Sequence, residues 1–419
     1  MPNRLELKFP KNFLWGVATS AHQIEGGQHN QWSVWELENA KALAAQSSYQ
    51  FDDLSNWPEV KRSAQTPSNY VSGRATEHYA RFAEDISLAR KLNLNAFRLS
   101  IEWSRVQPEQ GAWDAGAVKH YKEVLAELKK QGIEPMVTLF HFTLPVWFAE
   151  MGGFEKRANV KFFVEFAERI LSELGGTIRY VITINEPEIY ASQSYLEAKW
   201  PPQVQNRAQY RRVLANLAFA HNTIAKKLHA ASRRYRVSVA KNSAYIYPGD
   251  DSALSVRAEA VMQYQRDDMF LRKVIKQCDF LGVNYYFSER VYGYRVHNPD
   301  ERLNDLGWDM QPQYLERALE RLSEKYKKPI IVTENGLADA SDEDRQWWLM
   351  QTILAMQRAM RSGVELLGYF HWSLTDNFEW DKGYWPRFGL YAVDYRTMER
   401  TPRPSAVWFA KVLKKVRGL

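Results

Sequence analysis

At 419 residues the chain is too long for a small domain and short for three, leaving two ordinary domains or one large α/β barrel. Its 45% hydrophobic and 25% charged residues exclude disorder, and its net charge of +7 is spread over basic residues interleaved with acids, as in LERALERLSEKYKK, which argues against a nucleic-acid partner. One cysteine, Cys278, excludes a disulfide framework, and the lack of a signal core or a long apolar run points to a cytoplasmic protein with no membrane partner.

In chain order, the first strand is expected in FLWGVAT (13–19), an apolar run bounded by Asn and Ser. The stretch from Ala40 to Ser72 is rich in Ser, Gln, Asn and Pro and reads as a long loop or insertion. HYARFAEDISLARKLNL follows as a helix presenting Tyr79, Phe82, Ile86 and Ala89 on one side, and NAFRLSI (95–101) as the second strand. Asp114 is placed to cap AGAVKHYKEVLAELKK, whose Val118, Tyr121, Val124, Leu125 and Leu128 share a face, with Gly132 beyond its end. EPMVTLF is the third strand. Asn159 is expected to cap the helix VKFFVEFAERILSEL, closed by Gly175 and Gly176. YVITI, VSVAK, DFLGVNYY, PIIVTE and LLGYFHW complete the strands, and KVLKKVRGL reads as a closing surface helix.

Eight apolar strands alternating with amphipathic helices predict a (β/α)8 TIM barrel, here one domain over residues 1–419. Such a barrel needs about 250 residues, so the surplus should lie in elongated βα loops. Active sites of this architecture sit at the C-terminal ends of the strands. Polar and aromatic residues stand at those ends: Gln23 and Glu25, Arg98, His141, Asn185 and Glu186, Asn284 and Tyr286, Glu334, and Trp372.

Two strand ends carry a glutamate beside an asparagine, VITINEPE (181–188) and PIIVTENG (329–336). Paired carboxyls across a cleft can cleave a glycosidic bond, one protonating the leaving oxygen while the other attacks or stabilises the anomeric carbon. A salt bridge to an arginine at the barrel rim is the competing account of either glutamate. The 15 Trp and 22 Tyr suit a sugar cleft, because flat apolar faces stack on pyranose rings, although a large aromatic core would use many of them.

These segments resemble glycoside hydrolase family 1, the β-glucosidase-type retaining glycosidases. The resemblance runs from FLWGVATSAHQIEG through FRLSIEWSRVQP, LFHFTLPVWF, TINEP and VTENG to YFHWSLTDNFEWDKGYWPRFGL. It implies Glu186 as general acid/base and Glu334 as nucleophile, supported by Arg98 and Tyr286. It also implies sugar contacts from Gln23, His141, Asn185, Asn284, Trp372, Glu379, Trp380 and Phe388, with Trp308 on the aglycone side. The implied activity is hydrolysis of terminal non-reducing β-D-glucosyl residues through a covalent intermediate, with β-galactosyl or β-fucosyl residues as further substrates. No cofactor or metal is implied. The alternatives are a transglycosidase on the same fold and a sugar-binding relative of weak activity. Glu186, where thioglycosidases carry Gln, argues against thioglycosides, and the charge of Glu379 argues against a phosphorylated sugar. The chain departs from the family pattern at Phe142, usually Trp, at residues 40–72, and at 188–203, which puts substrate preference rather than chemistry in doubt. No feature of the sequence speaks to oligomeric state.

Overall fold

The apolar runs become the staves of a barrel because each is buried on both faces. The computed structural model describes residues 7–298 and 302–419. Its eight barrel strands are β1 (Leu14–Ala18), β2 (Ala96–Ser100), β3 (Glu134–Thr138), β4 (Tyr180–Asn185), β5 (Arg236–Asn242), β6 (Leu281–Asn284), β7 (Ile330–Asn335) and β8 (Leu366–Trp372). All neighbours are parallel, and β1 closes the barrel by pairing with both β8 and β2. The predicted strands are thus all present.

Alternation along each stave sorts the side chains between two cores. Ile182 of β4, Ile331 of β7 and Met136 of β3 join Ala96 and Phe370 inside the barrel. Val181, Ile330 and Val332 face outward and pack beneath the surrounding helices. Register then brings the strand ends together. Ala18 lies opposite both Trp372 and Arg98, Glu334 opposite Asn284, and Asn284 opposite Asn242.

The first βα connection differs from the sequence expectation. Residues 40–72 are mostly helical: α1 covers Gln31–Phe51, α2 covers Trp57–Ala64, and a 3₁₀ turn spans Pro67–Tyr70. Asn30 starts α1 with a capping box, its side chain accepting from Ser33 N at 2.9 Å while its own N–H donates to Ser33 Oγ. The face turned inward in the second half of α1 is made of Ala40, Ala44, Ser47 and Phe51. Small residues pack closely there, Ala40 and Ala44 against Tyr70, and leave only a weak apolar stripe in the sequence.

The helix α3 (His78–Lys91) buries Ile86 and Ala89 as expected, while Tyr79 stacks on His120 with ring centroids 3.6 Å apart. Asp114 caps α4 (Ala115–Lys130) by accepting from Ala117 N at 2.8 Å. Asn159 does not cap α5 (Val160–Leu174) with its side chain. Its amide donates backward to Met151 O and Gly153 O, each at 3.1 Å, so it secures the preceding turn instead. The closing helix α6 (Pro404–Arg417) seats Phe409 against Trp15 of β1 and Tyr369 of β8, sealing the barrel seam from outside. Cys278 is buried, and burial pushes its thiol up to about 12, which suits a small hydrophobe. Among the described residues no helix is long and apolar enough to cross a membrane, and no acidic, His or Cys cluster could hold a metal.

Candidate active site

The end of β4 turns into a helix, Pro187–Tyr195, within one residue. Glu186 makes that turn in the left-handed region, with φ 40° and ψ 60°, held by its N–H donating to Ala240 O at 2.7 Å. Pro187 has its φ preset for a first helical position. Phe142 and Trp380, both on the wall beside it, also have positive φ. Non-glycine residues held there mark backbone that the surroundings over-determine, as functional sites often are.

At the end of β7, Asn335 and Gly336 position Glu334. The Asn335 amide donates to Tyr285 O at 2.7 Å, and its oxygen accepts from Trp348 Nε1 at 3.0 Å. Gly336 passes so close to β8 that a Cβ would lie 1.9 Å from Trp372 O. The TENG motif therefore joins a carboxyl to two residues that lock the strand end.

Arg98 links the two glutamates. It is fully buried, and its Nη1 reaches Glu334 Oε1 at 2.5 Å while Nη2 donates to Asn185 Oδ1 at 2.7 Å. Thr138 Oγ1 accepts from Nε and Thr333 O from Nη1, so four of the five guanidinium donors are directed at protein acceptors. Tyr286 donates to Glu334 Oε2 at 2.8 Å. Asn284 donates to Asn185 Oδ1 at 3.2 Å and to Glu186 Oε1 at 2.8 Å. A continuous chain of hydrogen bonds thus runs from Glu334 through Arg98, Asn185 and Asn284 to Glu186. Glu334 does pair with an arginine, but one that is fully buried rather than at the rim, and Glu25 pairs with Arg105 and accepts from the Tyr121 hydroxyl.

The two carboxyls have opposite surroundings. Burial raises the proton affinity of both, and the Glu186 charge adds to this at Glu334. The Arg98 cation and the Tyr286 hydroxyl favour the anion at Glu334, while Glu186 receives only neutral amides, from Asn284 and Asn242. The direct hydrogen-bond partners of Glu334 therefore favour its anion, whereas those of Glu186 are uncharged. Both amide contacts to Glu186 fall on Oε1, which leaves Oε2 to carry the proton. Burial and the Glu334 charge push the Tyr286 phenol well above its ordinary value, so it remains a donor.

These groups open into a cavity of about 550 Å³ lined by Gln23, His141, Asn185, Glu186, Tyr286, Trp308, Glu334, Trp372, Glu379, Trp380 and Phe388. Asn284, expected to touch substrate, is fully buried beneath the carboxyls, spent on Asn185, Glu186 and Thr333. His141 accepts from the Asn185 amide at Nε2, 3.1 Å, and its buried Nδ1 has no protein partner. Burial and the Arg98 charge hold this imidazole neutral, so Nδ1–H is left as a donor for a ligand. Gln23 donates to Phe378 O at 2.7 Å and to Asn377 Oδ1 at 3.1 Å, and approaches Glu379 Oε2 at 3.4 Å. Trp380 stacks on His22 at 5.5 Å and lies nearly parallel to His141 at 6.1 Å. Phe142 packs at 5.1 Å from Trp380 and 5.0 Å from Trp200, so the divergent 188–203 segment returns an indole to the wall where Phe142 lacks one.

Several site residues were not legible in the sequence. Asn242, which donates to Glu186 Oε1 at 3.1 Å, lies one residue beyond the predicted VSVAK strand. His22 lies within FLWGVATSAHQIEG but has no role read from the sequence; it stacks on Trp380, with Glu36 of α1 2.6 Å from its Nε2.

The wall carboxyl Glu379 gives a stability prediction. Burial raises it to about 8 from the ordinary 4.5. A folded-state value above the unfolded one means that folding binds a proton. The resulting stabilisation is complete below about pH 4.5 and is lost as pH rises through about 8. The Tm of the wild type minus that of Glu379→Gln should fall as pH goes from about 5 to about 9, read by thermal unfolding. A flat difference would place Glu379 in water-like surroundings.

The sequence profile of Glycosyl hydrolase family 1 matches residues 5–276 and 259–417. Beta-glucosidase A of Thermotoga maritima is 29% identical over 464 aligned residues, covering 97% of this chain and 98% of that protein. A galactolipid galactosyltransferase of Arabidopsis thaliana is 32% identical over 355 residues, covering 79% of this chain and 57% of its own length. Among solved structures, a beta-glycosidase from Pyrococcus horikoshii superposes with a TM-score of 0.85 at 34% identity, covering 98% of this chain and 96% of that one. The Thermotoga maritima beta-glucosidase in complex with glucoimidazole also superposes with a TM-score of 0.85, at 27% identity over 98% of this chain and 100% of that one. With two carboxyls at the expected strand ends, a profile match along nearly its whole length and the same barrel in these relatives, the chain belongs to glycosyl hydrolase family 1.

Proposed function

We propose that the protein is a retaining β-glycosidase that removes terminal non-reducing β-D-glucosyl residues, with Glu334 as nucleophile and Glu186 as general acid/base. The observation that carries this is the asymmetry of the two buried carboxyls. One is paired with Arg98 and Tyr286, and the other is bound only by amides. The names of the Thermotoga and Pyrococcus relatives support the β-linked substrate class.

In the first step Glu334 attacks the anomeric carbon. The bond to the aglycone oxygen breaks as that oxygen takes the Glu186 proton, and a glycosyl ester forms on Glu334. Loss of the Glu334 charge lowers the proton affinity of Glu186. Water then gives its proton to Glu186 and attacks the anomeric carbon from the face the aglycone left. Two inversions retain the β configuration, and such enzymes hold their carboxyls about 5–5.5 Å apart. Asn185, held by Arg98 and lining the cleft, is placed to read the sugar 2-hydroxyl. Gln23, Glu379 and the neutral His141 offer acceptors and a donor to the outer hydroxyls. Trp372, Trp380 and Phe388 supply the apolar floor and wall, and Trp308 borders the aglycone side. The sequence expectation that the Glu379 charge repels a phosphate applies only above about pH 8, because burial keeps that carboxyl protonated below it. We take residues 1–419 to act as one domain, in the cytoplasm, on a dissolved glycoside.

The test is a panel of nitrophenyl α- and β-glycosides, with the anomer of the first product followed by proton NMR. β-Glucoside turnover with a β-configured product is expected, and a preference for α-linked substrates would overturn the reading. Tyr286→Phe should cost about 10–100-fold in kcat, the worth of one hydrogen bond to a charged group, with little change in Tm. An unchanged kcat would remove Tyr286 from the support of Glu334.

A further inference from the structure

Two residues beyond Glu186 the cleft wall carries a second, unexplained carboxyl. Glu188 stands in the first turn of the Pro187–Tyr195 helix and is only 8% exposed. Its Oε1 lies 3.3 Å from Nζ of Lys241, near the end of β5, which is 1% exposed. Neither Glu188 oxygen accepts a hydrogen bond of good geometry, although both are buried. Lys241 spends one donor on Asn242 O at 2.5 Å. Both side chains border the same cavity as the two central carboxyls.

A buried acceptor without a donor is costly, and native structures keep few of them. Here the two residues line the cavity a ligand would enter, although the acceptor atoms are themselves buried. The position fixes which part of the ligand. Glu188 stands two residues beyond Glu186, the group that would protonate the leaving oxygen, and Lys241 precedes Asn242, which donates to Glu186 Oε1, so both adjoin the proton donor. An alkyl or aryl leaving group offers nothing to a carboxylate that lacks a well-formed hydrogen bond or to the ammonium beside it. A sugar ring offers adjacent hydroxyls, which can donate to Glu188 and accept from Lys241.

We propose that Glu188 and Lys241 form an aglycone-side subsite for a second sugar, so that this cleft selects β-linked di- and oligosaccharides over alkyl and aryl glycosides. The proposal rests on the reading of Glu186 as the proton donor. Glu188 and Lys241 act on binding and orientation of the leaving sugar and take no part in the proton transfer.

The test compares two substrates whose leaving groups are both alcohols needing protonation, a β-linked glucose disaccharide and hexyl β-glucoside. In Glu188→Leu the ratio of kcat/KM for disaccharide over hexyl glucoside should fall by about 10–100-fold, as for a lost hydrogen bond to a charged group. Glu188→Gln, which keeps one acceptor, should show a smaller fall. A change confined to Glu186 acidity would move both substrates together and leave the ratio alone. With a nitrophenyl β-glucoside as donor and glucose as acceptor, the ratio of transfer to hydrolysis should fall in the same variants. Removing one member of a buried ion pair strands the other. The double variant Glu188→Leu/Lys241→Met, checked by thermal unfolding, therefore carries the comparison if the single variant folds poorly. An unchanged disaccharide-to-hexyl ratio would overturn the proposal and make the pair structural. Failure of the wild type to cleave any β-glycoside would overturn the glycosidase reading first and this proposal with it.

Discussion

Glu334→Ala should lose turnover by on the order of 10⁵-fold, the scale seen when a covalent nucleophile is removed. The loss should not depend on the leaving group, because no ester can form however easily the aglycone departs. Added azide can enter the space left by the carboxylate, and any sugar azide it forms from a β-glycoside should have the α configuration, the result of a single inversion. A β-configured azide from this variant would remove Glu334 from the nucleophile role. The fold should persist, since Asn335 and Gly336, which lock the end of β7, are untouched. The vacated Arg98 keeps Asn185, Thr138 Oγ1 and Thr333 O as partners, although stranding a buried cation should lower Tm.

Glu186→Ala should separate the two chemical steps. Its cost should be roughly 10²–10⁴-fold for alkyl glucosides, whose leaving oxygen needs a proton, in line with general acid catalysis. For an activated leaving group such as dinitrophenolate, formation of the ester should be nearly spared, and its hydrolysis should become limiting as a burst. Azide should then accelerate turnover and yield a β-glycosyl azide, because a charged nucleophile needs no base to attack the ester. Full alkyl-glucoside activity in this variant would reassign the proton donor. The two azide products, α from one variant and β from the other, assign the roles independently of any rate.

The broad architecture was legible because burial leaves a direct trace in composition. Each stave is enclosed on both faces, so all eight appear as apolar runs, and the predicted segments overlap the observed strands throughout. The first connection was not legible for the converse reason. Helix Gln31–Phe51 packs partly through Ala40, Ala44 and Ser47, and small inward residues read as polar linker. Asn159 was placed correctly at a helix start but with the wrong job, because an asparagine amide can serve a preceding turn as readily as a cap.

The sequence by itself determined the strand order, the (β/α)8 class, the family and the two glutamates, since these depend on residue type at fixed chain positions. Only the tertiary structure decided what each glutamate has around it. Arg98 and Glu334 are 236 residues apart in the chain, and no local pattern states that their side chains meet at 2.5 Å. The same holds for Asn284, expected at the substrate and found beneath Glu186, and for Glu188, whose partner Lys241 comes from the adjacent strand. Proton affinity and hydrogen bonding are set by groups within a few ångströms in space, and barrel closure, not sequence proximity, determines which groups those are.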